Sequence, residues 1–429
     1  MKKISIDKSF FKENREKLYK LMKPNSIAVL NSNDILPSNA DGTMKFKQNN
    51  DLFYLSGITQ EKTRLLLNPG SNDVNMREIL FVLDYDLDTE IWEGSKLKTG
   101  EAEAISGIKT IMPLSKFNGV FRSLIWHADN IYLNSNEHDR AKIEINTMDD
   151  RFIKYCQKTF PLHNYFRLAP LLYNLRSVKS GIEIDLIKEA CKLTANGFSR
   201  ILKFVKPGVT EYEVEAELVH EYKRWGFDIA DYEPIVASGI NSCALHYDKN
   251  SETCKDGDIL LIDAAAGYGP YNADVTRTIP VNGKFTARQK NIYNAVLRTF
   301  KSTVKEIKPG KSMNDIAMIA RELIAKELVD LKLVKNDDVK NIENKSPVFK
   351  QYYPHDVSHY LGLDVHDVGL FSSPLKPGMI LTCEPGIYIK EESLGIRIEN
   401  DILVTEDGNI DLMDGVPIEA EDIENIMTA

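Results

Sequence analysis

The chain has no basic run, no apolar run approaching the ~20 residues of a membrane span, and no CxxC pair. Each absence excludes something. With a net charge of −9 and no basic face in view, a nucleic-acid binder is not expected, because phosphates are held by clustered Lys and Arg. No membrane-spanning helix is expected, and the first residues, Met1 to Lys8, lack the apolar core of a secretory signal. The five cysteines, Cys156, Cys191, Cys243, Cys254 and Cys383, are odd in number and scattered. They read as reduced thiols in a cytoplasmic protein rather than a disulfide framework or a zinc knuckle. HExxH, GxSxG and Walker A motifs are missing as well, which removes a thermolysin-like zinc site, a serine-hydrolase elbow and a P-loop.

What is present is an ordinary globular composition, 43% hydrophobic and 27% charged over 429 residues. That length exceeds one core and points to two or three domains. Residues 1 to 172 mix a charged amphipathic helix (Ser9 to Met22) with buried-strand patterns at Ser26–Asn31, Glu78–Asp84 and Asn130–Asn134. Strands alternating with helical runs predict an α/β layer. The stretch from Phe46 to Gly57 is polar, then aromatic, and reads as a loop entering a strand. Trp92 reads equally as packing or as contact surface.

The composition changes near Leu172, and the domain boundary is placed there: 1–172 and 173–429. A long helix from Ile182 to Phe204 runs into a Lys-Pro-Gly ending at Gly208. Thr210 and Glu213 then open a second helix through Trp225. The pattern recurs: a helix from Ala287 to Ile307, a Lys-Pro-Gly ending at Gly310, and an opening at Ser312 and Asp315. A hydroxyl at the N-cap with an acid three residues on is a capping-box start, and Pro-Gly stops the helix before it. The duplication predicts a pseudo-two-fold α+β domain, with helices covering one face of a curved antiparallel sheet and a cleft between its halves.

The whole chain has eight histidines, and three of them, His355, His359 and His366, fall within one short stretch. Histidine is both the neutral-pH proton carrier and the commonest metal ligand. Acids lie elsewhere in apolar settings. Asp263 lies inside the buried-strand pattern that begins at Asp258, and Asp274 lies eleven residues on. A hairpin folded near Tyr268–Gly269 puts the two opposite each other, where they repel unless a cation sits between them. Glu384 ends another apolar run at a Pro-Gly turn. Arg397, Glu399 and Asp401 alternate and are expected on one strand face; Glu399 alone reads as part of a solvated face. Four carboxylates (Asp263, Asp274, Glu384, Glu399) and an imidazole suit hard or borderline divalent ions, Mn²⁺ before Zn²⁺. Four negative charges balance two such ions, and paired metals can share a bridging hydroxide as nucleophile.

These residues resemble the pita-bread metallopeptidases, a family that includes methionine aminopeptidase, proline dipeptidase and Xaa-Pro aminopeptidase. The likeness covers the words Ile-Asp-Ala at Asp263, Asn-Ala-Asp-Val-Thr-Arg-Thr at Asp274, Ser-His-Tyr-Leu-Gly-Leu-Asp-Val-His-Asp from Ser358, Cys-Glu-Pro-Gly-Ile-Tyr at Glu384 and Gly-Ile-Arg-Ile-Glu-Asn-Asp at Glu399. It extends into the first domain at Lys47–Gly57 and Glu90–Gly94, wording similar to the aminopeptidase P branch. The resemblance implies a pita-bread catalytic domain behind a smaller α/β domain, and removal of an N-terminal residue that precedes proline. A proline dipeptidase is the alternative reading. A metal-free creatinase-like hydrolase and a non-enzymatic binding protein both sit poorly with a complete ligand set.

By position, the resemblance implies that Asp274 and Glu399 bridge two divalent ions, most simply Mn²⁺. Asp263 completes one coordination shell, and His359 with Glu384 completes the other. Glu384 also serves as general base toward the bridging hydroxide. His246, His355 and His366 contact the substrate, and Arg397 supports the site. The implied partners are peptides with proline in second position and, through the first domain, further copies of the chain in a homodimer or homotetramer. Between Gly369 and Lys376 this chain is shorter than its relatives, which leaves its preferred peptide length open.

Overall fold

In the computed structural model, which describes residue 2, residues 4–340 and residues 346–429, the chain divides into two units. One is Ser5–Arg176. The other is Ser177–Ala429 with the described residues among Met1–Ile4.

The first unit is built on a six-stranded sheet. Its order is Thr110–Pro113, Glu78–Val82, Arg64–Leu67, Ser26–Asn31, Asn130–Leu133 and Asn164–Arg167. Ser26–Asn31 is buried at every position, as an apolar strand inside a sheet covered on both faces must be. It pairs antiparallel with Arg64–Leu67 and parallel with Asn130–Leu133. Beneath the sheet, Ile27, Val29, Phe81, Phe117, Phe121 and Phe152 form one apolar cluster.

The Phe46–Gly57 stretch is not a loop entering a strand. Asn50–Ser56 is a helix, and Asn49 caps it by accepting from the backbone N–H of Asp51 (3.0 Å) and Leu52 (3.1 Å). Its run of amides and acids hides an N-cap signal, and burial of six of its seven residues outweighs the strand preference of its aromatics. Gly57 ends it with φ 72°. A Cβ there would lie 2.5 Å from the Phe11 ring, so the site needs glycine twice over. Trp92 lies on the helix Leu87–Glu93 and is 87% exposed, so it is a surface side chain and not part of the core.

In the second unit the duplicated helix pairs form as read. They are Gly181–Phe204 with Glu211–Arg224, and Ala287–Val304 with Met313–Asp330. Thr210 with Glu213 and Ser312 with Asp315 close reciprocal capping boxes. Every strand pairing found among the described residues of this unit is antiparallel.

Two details of register differ from expectation, and both shape the site. The hairpin turns at Gly269–Pro270, pairing Tyr268 with Tyr271 and Asp263 with Thr276. Asp274 is therefore diagonal to Asp263 rather than opposite it. Gly269 supplies the positive φ (63°) that a two-residue turn demands. Moving the turn by one residue shifts the pairing by two, which preserves the face. The Arg397–Asp401 segment is not one strand. Leu394–Arg397 pairs with Gly386–Ile389, and Asn400–Val404 pairs with Ile380–Cys383. The break lies at Ile398–Glu399, where the Glu399 N–H donates to the Thr276 carbonyl (3.1 Å). Nor is this a solvated face: Arg397, Glu399 and Asp401 are all buried.

A buried ion pair ties the start of this unit to the histidine stretch. Lys179 Nζ lies 2.9 Å from Asp367 Oδ2, both side chains 1% exposed. Lys179→Met removes that ammonium from a carboxylate that water cannot reach. It is expected to cost about 3–5 kcal/mol, measured as a lower urea midpoint at unchanged slope. A loss below about 1 kcal/mol contradicts this.

Candidate metal centre

Asp274, His359 and Glu399 are buried, and one potential ligand atom from each lies within 4.8 Å of the others. Three local structures deliver them. The returning arm of the Asp263 hairpin carries Asp274, whose backbone N–H donates to Asp401 Oδ2 (3.0 Å). His359 follows the irregular segment 353–358, and its backbone N–H donates to Thr382 Oγ1 (3.2 Å). Glu399 sits at the break between two strand pairings, and its Oε2 accepts from Thr276 Oγ1 (2.7 Å).

Glu384 joins them at the end of strand Ile380–Cys383. Its backbone N–H donates to the Val357 carbonyl (2.8 Å). Its carboxylate lies 3.7 Å from His359 Nε2 and 3.7 Å from His355 Nδ1. His359 Nδ1 lies 3.0 Å from the Tyr360 carbonyl, so that nitrogen carries the hydrogen. Nε2 is left facing the acids, 3.4 Å from Asp274 Oδ2. A ring oriented this way is the ordinary preparation of a histidine ligand.

Asp263 is outside the tight trio but close in charge. Its Oδ2 accepts from Arg397 Nη2 (2.7 Å), while its Oδ1 is buried with no hydrogen-bond partner. Arg397 also donates through Nε to Thr276 Oγ1 (3.0 Å) and through Nη1 to Tyr388 Oη (3.0 Å). His355 Nε2 meets the same Tyr388 hydroxyl at 2.8 Å. His366 is exposed, and its ring stands edge-on to that of His359, centroids 4.4 Å apart. His246 is exposed in the turn after the Gly239–Cys243 helical turn, and its side chain makes no hydrogen bond among the described residues. The structure thus gathers the predicted acids with His359, His355 and Arg397, sets His366 against His359, and leaves His246 unbonded.

Burial and crowding shift these acids toward their neutral forms. Burial pushes Asp274 up, and the Asp263 charge adds to it although His359 draws it back. Burial raises Glu384 to about 7, with His359 and Arg397 opposing. Glu399 is driven well above the carboxylate range by burial and by Asp274, Glu384 and Asp263. Burial disfavours protonated His359, yet Asp274 and Glu384 outweigh it and raise its pKa. A divalent charge held among these groups would oppose all four shifts. With the orphaned Asp263 Oδ1, the donor set fits hard divalent cations.

Sequence reasoning passed over two participants. Thr276 binds both Glu399 and Arg397, and Tyr388 joins His355 to Arg397. Thr276 and Tyr388 lie in buried strands, where a hydroxyl reads as packing.

Fold and site together define a metallopeptidase. Residues 185–406 match the metallopeptidase family M24, and residues 11–132 match the aminopeptidase P N-terminal domain. The chain belongs to family M24. It is 34% identical to Xaa-Pro aminopeptidase of Escherichia coli K12 over 438 residues, 99% of this chain and 98% of that one. It is also 34% identical to human Xaa-Pro aminopeptidase 3, over 94% of this chain and 80% of that one. Solved structures of Pseudomonas aeruginosa aminopeptidase PepP and of the low-pH form of E. coli aminopeptidase P superpose with TM-scores of 0.90 and 0.90. Each is 32% identical and matched over 99% of both chains. The architecture is the expected one, an α/β unit followed in the sequence by an α+β pita-bread unit, and the chain is a hydrolase of the exopeptidase kind. No helix among the described residues is long and apolar enough to cross a membrane.

Proposed function

We propose that the chain is a metal-dependent aminopeptidase that hydrolyses the bond between an N-terminal residue and a following proline. The buried convergence of Asp274, His359 and Glu399 carries this reading, in a chain aligned end to end with Xaa-Pro aminopeptidases. Asp263, Asp274, His359, Glu384 and Glu399 would hold two divalent ions, Mn²⁺ by ligand hardness. Such ions supply a Lewis acid for the scissile carbonyl and a water ionised at neutral pH.

The protein's own groups do the rest. Glu384, between His359 and His355, takes the proton of the attacking water and delivers it to the leaving proline nitrogen. His246 and His366, both exposed, are the donors for the developing oxyanion and the leaving amine. His355, held by Tyr388, fixes the peptide beside Glu384. Arg397 neutralises Asp263 and orients Thr276, which keeps Glu399 in place.

Peptide length separates this from a proline dipeptidase. Xaa-Pro-Yaa peptides are expected to be cleaved with kcat/KM at least ten times that for Xaa-Pro dipeptides, about 1.4 kcal/mol of transition-state binding. Cleavage of dipeptides alone overturns the assignment.

The same reading places the protein in the cytoplasm, supported by five cysteines that are all free. It also assigns the leading domain (1–172) to assembly of a homodimer or homotetramer and to limiting access. The exposed apolar side chains of Tyr85, Leu87, Ile91 and Trp92 support an interface there. A monomer in light scattering with full activity contradicts the assembly.

A further inference from the structure

Glu211 is the least expected acid in the catalytic unit. It is fully buried at the first position of the helix Glu211–Arg224, where Glu213 already closes the capping box. Its carboxylate gathers five donors. Oε1 accepts from Ser238 N (2.7 Å), Ser238 Oγ (2.8 Å) and Asn241 Nδ2 (3.2 Å). Oε2 accepts from Tyr247 Oη (2.8 Å) and Glu252 N (2.9 Å). A buried carboxylate is tolerated only when its lone pairs are filled in this way and its charge is favoured, here by the helix N-terminus.

The five donors come from one segment. Ser238 and Asn241 precede His246, and Tyr247 and Glu252 follow it. His246 has no hydrogen bond of its own among the described residues, so its position is set by what holds the chain on either side. The same segment is fastened to the wall of the metal centre. Leu245 and Tyr247 pack against an apolar cluster of Ile235, Ala237, Leu261 and Tyr388, and the Tyr388 hydroxyl meets His355 and Arg397. Ser242 Oγ accepts from the Gly395 N–H (2.8 Å), two residues before Arg397. A Cβ on Gly395 would lie 2.2 Å from the Ser242 carbonyl oxygen, so the two segments touch backbone to backbone.

We infer that Glu211 is a positioning residue for the peptidase reaction: its carboxylate is the hub that clamps the Ser238–Glu252 segment and thereby aims His246 at the scissile bond. The inference rests on the peptidase reading and on the substrate-side role of His246. A group that orients a catalytic donor controls rate more than binding, because a misplacement of about 1 Å can cost roughly a hundredfold.

The test is a double-mutant cycle on an Xaa-Pro-Yaa peptide with the Mn²⁺-loaded enzyme. Glu211→Gln keeps the shape but turns an amide NH₂ toward donors. It is expected to lower kcat by about ten- to a hundredfold, with KM within about twofold and bound manganese unchanged. In the His246→Ala background the same substitution is expected to change kcat by less than about twofold, since its target is gone. Equal losses in both backgrounds, or a loss that follows metal content, overturn the inference. If Glu211→Gln does not fold, Tyr247→Phe, which removes one donor and keeps the ring, enters the same cycle with the same criteria. If His246→Ala retains wild-type kcat, the role of His246 fails and the inference falls with it. If His246→Ala is impaired and the cycle is additive, the inference alone fails.

Discussion

Glu384→Gln is expected to lower kcat on an Xaa-Pro-Yaa peptide by roughly 10²–10⁴-fold, the usual worth of a positioned general base. Glutamine fills the same volume and keeps an oxygen, but it cannot accept a proton. The groups beside Glu384 are engaged in other contacts. His359 Nε2 faces Asp274, and Arg397 occupies one oxygen of Asp263. His355 is committed to the Tyr388 hydroxyl. Because Glu384 acts on the water rather than on the peptide, KM should move by less than about threefold. The backbone hydrogen bond from Glu384 N–H to the Val357 carbonyl survives the change, so the fold should hold. Steady-state kinetics with metal in excess decides it. A loss under tenfold removes Glu384 from the proton-transfer role.

The second large effect is on stability. Asp274, Glu384 and Glu399 are raised first by burial and then by one another's and Asp263's charge, so a divalent cation among them is expected to stabilise the folded chain. Ions that bind only the folded chain stabilise it by RT ln(1 + [L]/Kd), about 2.7 kcal/mol at a free concentration of 100 Kd. For a catalytic unit of this size that corresponds to a rise in melting temperature of roughly 5–10 °C. The measurement is a melting series of chelator-treated protein against Mn²⁺. His359→Ala removes the one imidazole of the trio, and its melting temperature should respond only at far higher Mn²⁺. A wild-type melting temperature indifferent to Mn²⁺ contradicts the site.

Much of the fold and of the site is legible in the sequence. Helix starts were readable because a hydroxyl and an acid three apart have a local mechanism, and Thr210–Glu213 and Ser312–Asp315 use it. Asp263 and Glu384 stood out because each interrupts or ends an apolar run, where a carboxylate needs a partner, whereas Glu399 read alone as part of a solvated face. The failures share one cause: they depend on where a turn or cap falls to within a residue. The Asp263 hairpin turns one residue later than expected, moving its partner to Thr276. Asn49 caps a helix in a stretch that reads as a loop. The break at Glu399 between two strand pairings has no signature in an alternating pattern. Thr276, Tyr388 and Glu211 act through contacts far apart in sequence, and no local rule marks them.

Asp263, Asp274, Glu384, Glu399 and His359 are expected to hold the divalent ions on which Xaa-Pro hydrolysis depends. The direct measurement follows bound manganese and Xaa-Pro-Yaa hydrolysis together as chelator-stripped protein is titrated with Mn²⁺. The account predicts no turnover in the stripped protein and activity that rises with occupancy toward two ions per chain. Full activity in the stripped protein, or occupancy that rises without turnover, contradicts it.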